Sequence, residues 1–152
     1  MTTPTANNSD CNALAATALD VEDFGEASNA LLELKKKSES QVGEVALRIL
    51  RESIGDVFYR AFAFEILYSV ALNDAISYID THAVLDDPYI MGAMLESVTE
   101  ECGALEGQEQ ILKAVVSLRK ALTLRTAEDL GQIAIQASRF EEAYPALKCP
   151  NT

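Results

Sequence analysis

Apolar residues recur every three or four positions along most of the chain from residue 23 onward. This spacing places them on one face of a helix, with polar residues on the other face. An Asp or Thr precedes several of the apolar runs, and a Gly or a group of lysines follows some of them, as expected at helix ends. No segment alternates apolar and polar residues as a half-buried strand does. The pattern predicts an all-α protein of about seven or eight helices in antiparallel pairs.

The apolar pattern also indicates the role of individual helices. Residues 56–71 are apolar nearly all round, which is typical of a central buried helix. Asp87 and Pro88 give the start signals of a helix that ends at Gly103. Thr126 begins a last long helix with apolar residues through Phe140. We predict a disordered segment at 1–10, a single all-α domain at 11–147 with its first helix starting near Cys11, and a C-terminal tail at 148–152.

The predicted helix pairs start near residues 24, 56 and 87, a repeat of about 31 residues. Within the second pair, Asp56, Tyr59, Arg60 and Ala63 follow one another at helical offsets. This stretch resembles the first-helix signature of HEAT-like repeats. The resemblance implies a binding scaffold, because stacked helix pairs present extended surfaces. Either a HEAT-like α-solenoid or an irregular helical bundle fits the pattern.

Composition narrows the function classes. The chain has 152 residues, 49% of them apolar, a formal net charge of −12 and a pI of about 4.4. Such a charge disfavours nucleic acids and anionic membranes, and it favours a basic protein partner. The three cysteines fit neither a disulfide framework nor a zinc site. No signal peptide or membrane span is recognisable, so we expect a cytoplasmic protein.

Negative charge is concentrated in one part of the sequence. The 52 residues between Arg60 and Lys113 contain ten carboxylates and no Lys or Arg. We expect the predicted helix from residue 87 to expose Tyr89, a small-residue shelf of Gly92 and Ala93, and two acids. The predicted partner-binding residues are this tyrosine, the two acids and three acids at the neighbouring helix junction: Asp80, Asp86, Asp87, Tyr89, Glu96 and Glu100. A merely solvated face is the alternative interpretation.

Catalytic and cofactor signals are weak. His82 is the only histidine, and no nucleophile lies near it in the sequence. Neither a di-iron pattern, a calcium loop nor a phosphate-binding glycine loop occurs, so we predict no enzyme, metal or cofactor. Arg60 could bind an anion, but pairing with Asp56 one turn earlier is the favoured interpretation.

In its size, acidity and helical character, the chain resembles the immunity proteins of bacterial toxin systems, including contact-dependent growth inhibition. The resemblance implies an inhibitor that covers the active site of a basic toxin, most simply a nuclease, with carboxylates in place of substrate phosphates. The alternative is a HEAT-like interaction scaffold or adaptor without inhibitory activity. A third hypothesis is a small-molecule sensor or enzyme that uses the interior through Arg60 or His82.

Overall fold

The computed structural model describes residues 4–100 and 108–145, and within these ranges the chain forms nine helices and no strand. The all-α prediction is therefore confirmed. The helices are α1 (Pro4–Leu19), α2 (Phe24–Lys37), α3 (Glu39–Arg51), α4 (Val57–Val70), α5 (Leu72–His82), α6 (Pro88–Glu100), α7 (Gln108–Leu124), α8 (Ala127–Gln132) and α9 (Ala134–Ala143). Helix α1 begins before the predicted start near Cys11. Gly103 and residues 148–152 lie outside the described residues.

The chain divides into two compact units, residues 1–75 and residues 76–152, with the boundary inside α5. The prediction of a single domain over 11–147 stays a prediction. Each unit has twelve carboxylates and six Lys or Arg residues, so each has a net charge of −6. The acidic block in the sequence therefore does not produce one acidic unit and one neutral unit.

In the first unit, the most extensive contacts are those of α1 with α2 and of α3 with α4. Helix α1 also packs on α3, and α2 on α4, so two helix pairs lie stacked on each other. These pairs begin at Pro4 and Glu39, whereas the predicted pairs began one helix later, near residues 24 and 56. Ser38 alone separates α2 from α3: its N–H donates to Leu34 O and its hydroxyl accepts from Gln41 N.

Helix α4 is largely buried, as predicted for residues 56–71. Its cap, Asp56, accepts a hydrogen bond from Tyr59 N at 2.9 Å. The predicted Asp56–Arg60 ion pair is not formed, and the Asp56 carboxylate caps the helix instead. The Arg60 Nε atom is instead buried without a hydrogen-bond partner among the described residues. The Tyr59 hydroxyl donates to Ala18 O at 2.6 Å, which ties α4 to the end of α1.

In the second unit, α6 is the central helix, and α7, α8 and α9 pack on it. The predicted last long helix is broken at Ile133, whose φ of −115° and ψ of 22° are not helical. Ile133 is buried. If Gly92 carried a Cβ, that atom would lie only 3.3 Å from Cγ2 of Ile133. Ile133 and Phe140, seven residues apart, are both buried, as the predicted apolar stripe requires.

Candidate functional site

The turn between α5 and α6 carries two of the predicted site residues, Asp86 and Asp87, and Arg125 holds it in place. The Arg125 guanidinium donates to Ala83 O and to Asp86 O. It also pairs with Asp129 at 3.3 Å, and its side chain is only 4% exposed. A buried guanidinium with several acceptors fixes the position of the backbone that it binds, because its planar donors are fixed relative to one another. The turn is therefore immobilised at two of its carbonyls.

The carboxylates of this turn have local structural roles. Asp86 accepts from the Tyr78 hydroxyl through Oδ2 and from Asp87 N through Oδ1, at 2.9 Å. Asp87 accepts from Tyr89 N at 2.8 Å, which satisfies a donor at the start of α6. Both carboxylates are partly buried. They contribute negative charge near the surface, but their positions are determined by the fold.

Two apolar side chains project from this same turn. Leu85 is 80% exposed, the highest value among the large apolar residues that the structure describes, and its neighbour Val84 is also exposed. The Leu85 N–H donates to His82 O at 3.1 Å, so the backbone that carries the exposed side chain is itself bonded. Tyr89 follows on the first turn of α6, with 48% of its surface exposed. We call residues 80–89 the acidic corner.

His82 and Asp80 form the beginning of the acidic corner, at the end of α5. The His82 ring stacks on Tyr78, with 4.0 Å between the ring centroids and 9° between the ring planes. Its Nδ1 atom lies 2.7 Å from the Thr81 hydroxyl, so this histidine packs at the end of α5. Asp80 is exposed, and it accepts a hydrogen bond from the Ser117 hydroxyl of α7 at 3.0 Å.

The exposed stripe predicted on α6 is interrupted. Glu96 and Glu100 are exposed as expected, but Gly92 and Ala93 are buried, so the prediction of an exposed small-residue shelf is wrong. Helix α9 packs on α6 and covers Gly92 with Ile133 and Gln136. Small residues allow this close approach of two helices. The stripe is thereby divided into Tyr89 at one end and the two glutamates at the other.

Glu96 and Glu100 line a small pocket together with Thr99, Gln136 and Arg139. Gln136 Nε2 donates to Glu96 Oε1 at 3.4 Å, and Arg139 brings a positive charge to the same pocket. The Thr99 hydroxyl is buried without a hydrogen-bond partner among the described residues. The two glutamates therefore share their surroundings with polar and basic groups of α9.

Cations from late in the sequence reach the acidic block in space. Arg125 lies at the acidic corner, and Arg139 lies beside Glu96 and Glu100. Lys113 and Lys120 are one turn on either side of Ser117, which bonds to Asp80. Charge that is uncompensated along the sequence is thus partly compensated in the structure. The sequence did not predict the exposure of Leu85 or the contacts of Arg125. Exposure has no local signal in the sequence, and Arg125 bonds to residues about 40 positions away.

Chemistry-bearing groups are sparse in the part of the chain that the structure describes. No three His, Cys, Asp or Glu side chains are placed there to hold a metal ion. No described helix is both long enough and apolar enough to cross a membrane. The chain matches no protein-family model, and no curated protein or solved structure matches it either. The functional argument therefore depends on the surface of the chain itself.

Proposed function

We propose that this chain is a stoichiometric inhibitor of a basic protein, acting as an immunity protein acts on a toxin. The acidic corner would bind the partner, with Leu85 in an apolar pocket and the surrounding carboxylates against Lys and Arg. The observation that carries the proposal is a highly exposed leucine on an immobilised turn, bordered by acids. An apolar anchor within a charged rim is the usual composition of a protein interface.

The rigidity of the turn favours binding. Ordering a flexible loop on association opposes binding by about 0.5–1.5 kcal/mol for each immobilised side chain. At the acidic corner, Arg125 and the hydrogen bonds of Asp86 already fix the backbone before any partner arrives. Exposed carboxylates such as Asp80, Glu96 and Glu100 would mainly raise the association rate with a cationic surface. Binding would occlude the partner, and this chain would perform no chemistry.

The test is a pull-down from source-cell lysate at low and at physiological salt. The baits are wild type, Leu85→Ser, the double variant Glu96→Lys/Glu100→Lys, and Leu124→Ser. Leu124 is a matched control, because it is also an exposed leucine but lies at the end of α7. We expect a basic protein that binds wild type and Leu124→Ser, weakens with salt, and is lost from the other two baits.

Inhibition must then be measured directly. The captured protein should lose its activity at an equimolar amount of wild type, with nuclease activity on labelled RNA and DNA assayed first. Leu85→Ser should need at least about tenfold more protein for the same inhibition, since an anchor residue is worth about 1.4 kcal/mol or more. If wild type and Leu85→Ser retained the captured protein equally, the binding surface would lie elsewhere than at the acidic corner.

The second candidate function is an interaction scaffold. Its support is the first unit, where two helix pairs stack as they do in helical-repeat proteins. A scaffold would bind its partner through apolar surface, with little dependence on salt. A partner held equally by all four baits at both salt concentrations would favour this function.

A further inference from the structure

Helix α7 exposes three large apolar residues away from its core, Leu112 and Val116 along its length and Leu124 at its end. Its buried residues are Ile111, Ala114, Val115, Leu118 and Ala121. On the other side Leu112 is 51% exposed and Val116 is 67% exposed, one helical turn apart. Such a pair on one helix face is the pattern expected where another helix packs.

The charges beside these two residues have a definite order. Glu109, Lys113 and Lys120 are exposed, and with Val116 they fall within about 60° of the helix circumference, while Leu112 lies at the edge of this face. The acid is at the N-terminal end of the face and Lys120 is at the C-terminal end, 11 residues away. This stretch of surface has one acid and two lysines, whereas the whole chain has twice as many acids as bases.

This order of charges is complementary to a second copy of itself. When two α7 helices lie antiparallel with Glu109 opposite the partner's Lys120, twofold symmetry places Lys120 opposite the partner's Glu109. Leu112 and Val116 of both copies then fill the space between the two ion pairs. A parallel arrangement would bring the two acids together.

We propose that two copies of this chain associate through α7, antiparallel, with the Glu109–Lys120 ion pair formed twice. The contact of two single helices is smaller than the 1,200–2,000 Å² or so of a stable complex, so the dimer is weak and depends on concentration. The inference does not require the proposed function, although Ser117, between Lys113 and Lys120, donates a hydrogen bond to Asp80 of the acidic corner.

The test is sedimentation equilibrium of the full chain between about 5 and 500 µM, a range that reveals a weak concentration-dependent dimer. The variants are Glu109→Lys, Lys120→Glu and the double charge swap, with Lys113→Glu as the matched control. The control changes the net charge as Lys120→Glu does, but Lys113 lies opposite the partner's Val116 rather than an acid. Circular dichroism establishes that each variant is folded.

We expect the wild-type mass to rise from 16.5 kDa toward twice that value with concentration. Each single charge change should weaken the dimer at least about tenfold, because two attractive pairs become two repulsive ones. The double swap should restore association to within about threefold of wild type, and Lys113→Glu should weaken it less than Lys120→Glu. A monomer at every concentration, or a double swap no better than the single changes, would overturn the proposal. Dimerisation unaffected by the charge changes would overturn it equally.

Discussion

Two buried polar side chains connect segments that are distant along the sequence, Tyr59 in the first unit and Arg125 in the second. Tyr59 reaches Ala18 O, 41 residues earlier, and Arg125 reaches Ala83 O, 42 residues earlier. Cap residues such as Asp23 could be predicted, because a cap bonds to a neighbour three positions away. Local spacing alone was not sufficient for Arg60, whose expected pair with Asp56 is not formed while that carboxylate accepts from Tyr59 N.

We predict that Tyr59→Phe lowers the free energy of unfolding by about 1–3 kcal/mol, because it leaves the buried Ala18 carbonyl without its donor. Urea denaturation at pH 7 measures the change. Tyr89→Phe is the control, since that ring is half exposed and its change should be within about 0.5 kcal/mol. Equal effects of the two substitutions would contradict a special role for the buried hydroxyl.

The same hydroxyl predicts an alkaline limit to stability. Burial raises the pKa of the Tyr59 phenol above its ordinary value of about 10. The folded protein thus keeps a proton that the unfolded chain loses near pH 10, so this contribution is complete below pH 10 and is lost as the pH rises further. Between about pH 9 and 11, wild type should lose stability more steeply than Tyr59→Phe. Parallel pH profiles would show that the phenol is not the cause.

Arg125 permits a test of the immobilised turn. Arg125→Lys should lower the free energy of unfolding by about 2–3 kcal/mol, since one ammonium group cannot reach three separated acceptors and Asp129 remains partly buried. Amide hydrogen exchange at Leu85 and Asp86 should become faster than global unfolding allows. Arg139→Lys, an exposed arginine, is the control and should change neither quantity. Unchanged exchange in Arg125→Lys would mean that the turn is held by Asp86 and Tyr78 alone.

At the scale of elements, helix identity was predictable and helix packing was not. The periodicity of apolar residues predicted α2, α3 and α4 well, because each buries its apolar residues against neighbouring helices. The break at Ile133 and the burial of Ala93 both arise where α9 meets α6. A helical projection of α6 alone placed Ala93 on the outside, since it contains no information about which helix covers that face.

Two glycines inside helices provide a matched pair for that contact. A Cβ on Gly43 in α3 would make ordinary contacts of 3.5 Å with Val70 and 3.6 Å with Ala71. Gly43→Ala should therefore raise the free energy of unfolding by about 0.5–1 kcal/mol through helix propensity. Gly92→Ala should gain clearly less, because its Cβ would crowd Ile133 at 3.3 Å. Thermal and urea unfolding of both variants measure the difference, and equal gains would mean that α9 shifts easily.

At the scale of the whole molecule, excess negative charge opposes folding, and it would attract a basic partner of the kind we propose. With twelve carboxylates and six cations in each unit, self-repulsion acts throughout the chain. Raising the ionic strength from about 0.01 M to 0.1 M shortens the screening length from about 30 Å to 10 Å. Added NaCl should therefore stabilise the folded protein, and it should weaken capture of the basic partner.

Neutralising two acids should separate the effect of negative charge on stability from its effect on partner binding, without added salt. Glu96 and Glu100 are like charges one turn apart, an arrangement that destabilises an isolated helix by about 0.2–0.5 kcal/mol. Glu96→Gln/Glu100→Gln should unfold at a slightly higher urea concentration than wild type, yet associate more slowly with the captured basic partner. Stopped-flow association at low salt gives the rate, and the difference from wild type should shrink as NaCl is added. A gain in stability with an unchanged association rate would mean that the two glutamates form only a solvated face. Because they destabilise the fold, only faster binding of a cationic surface would give them a function.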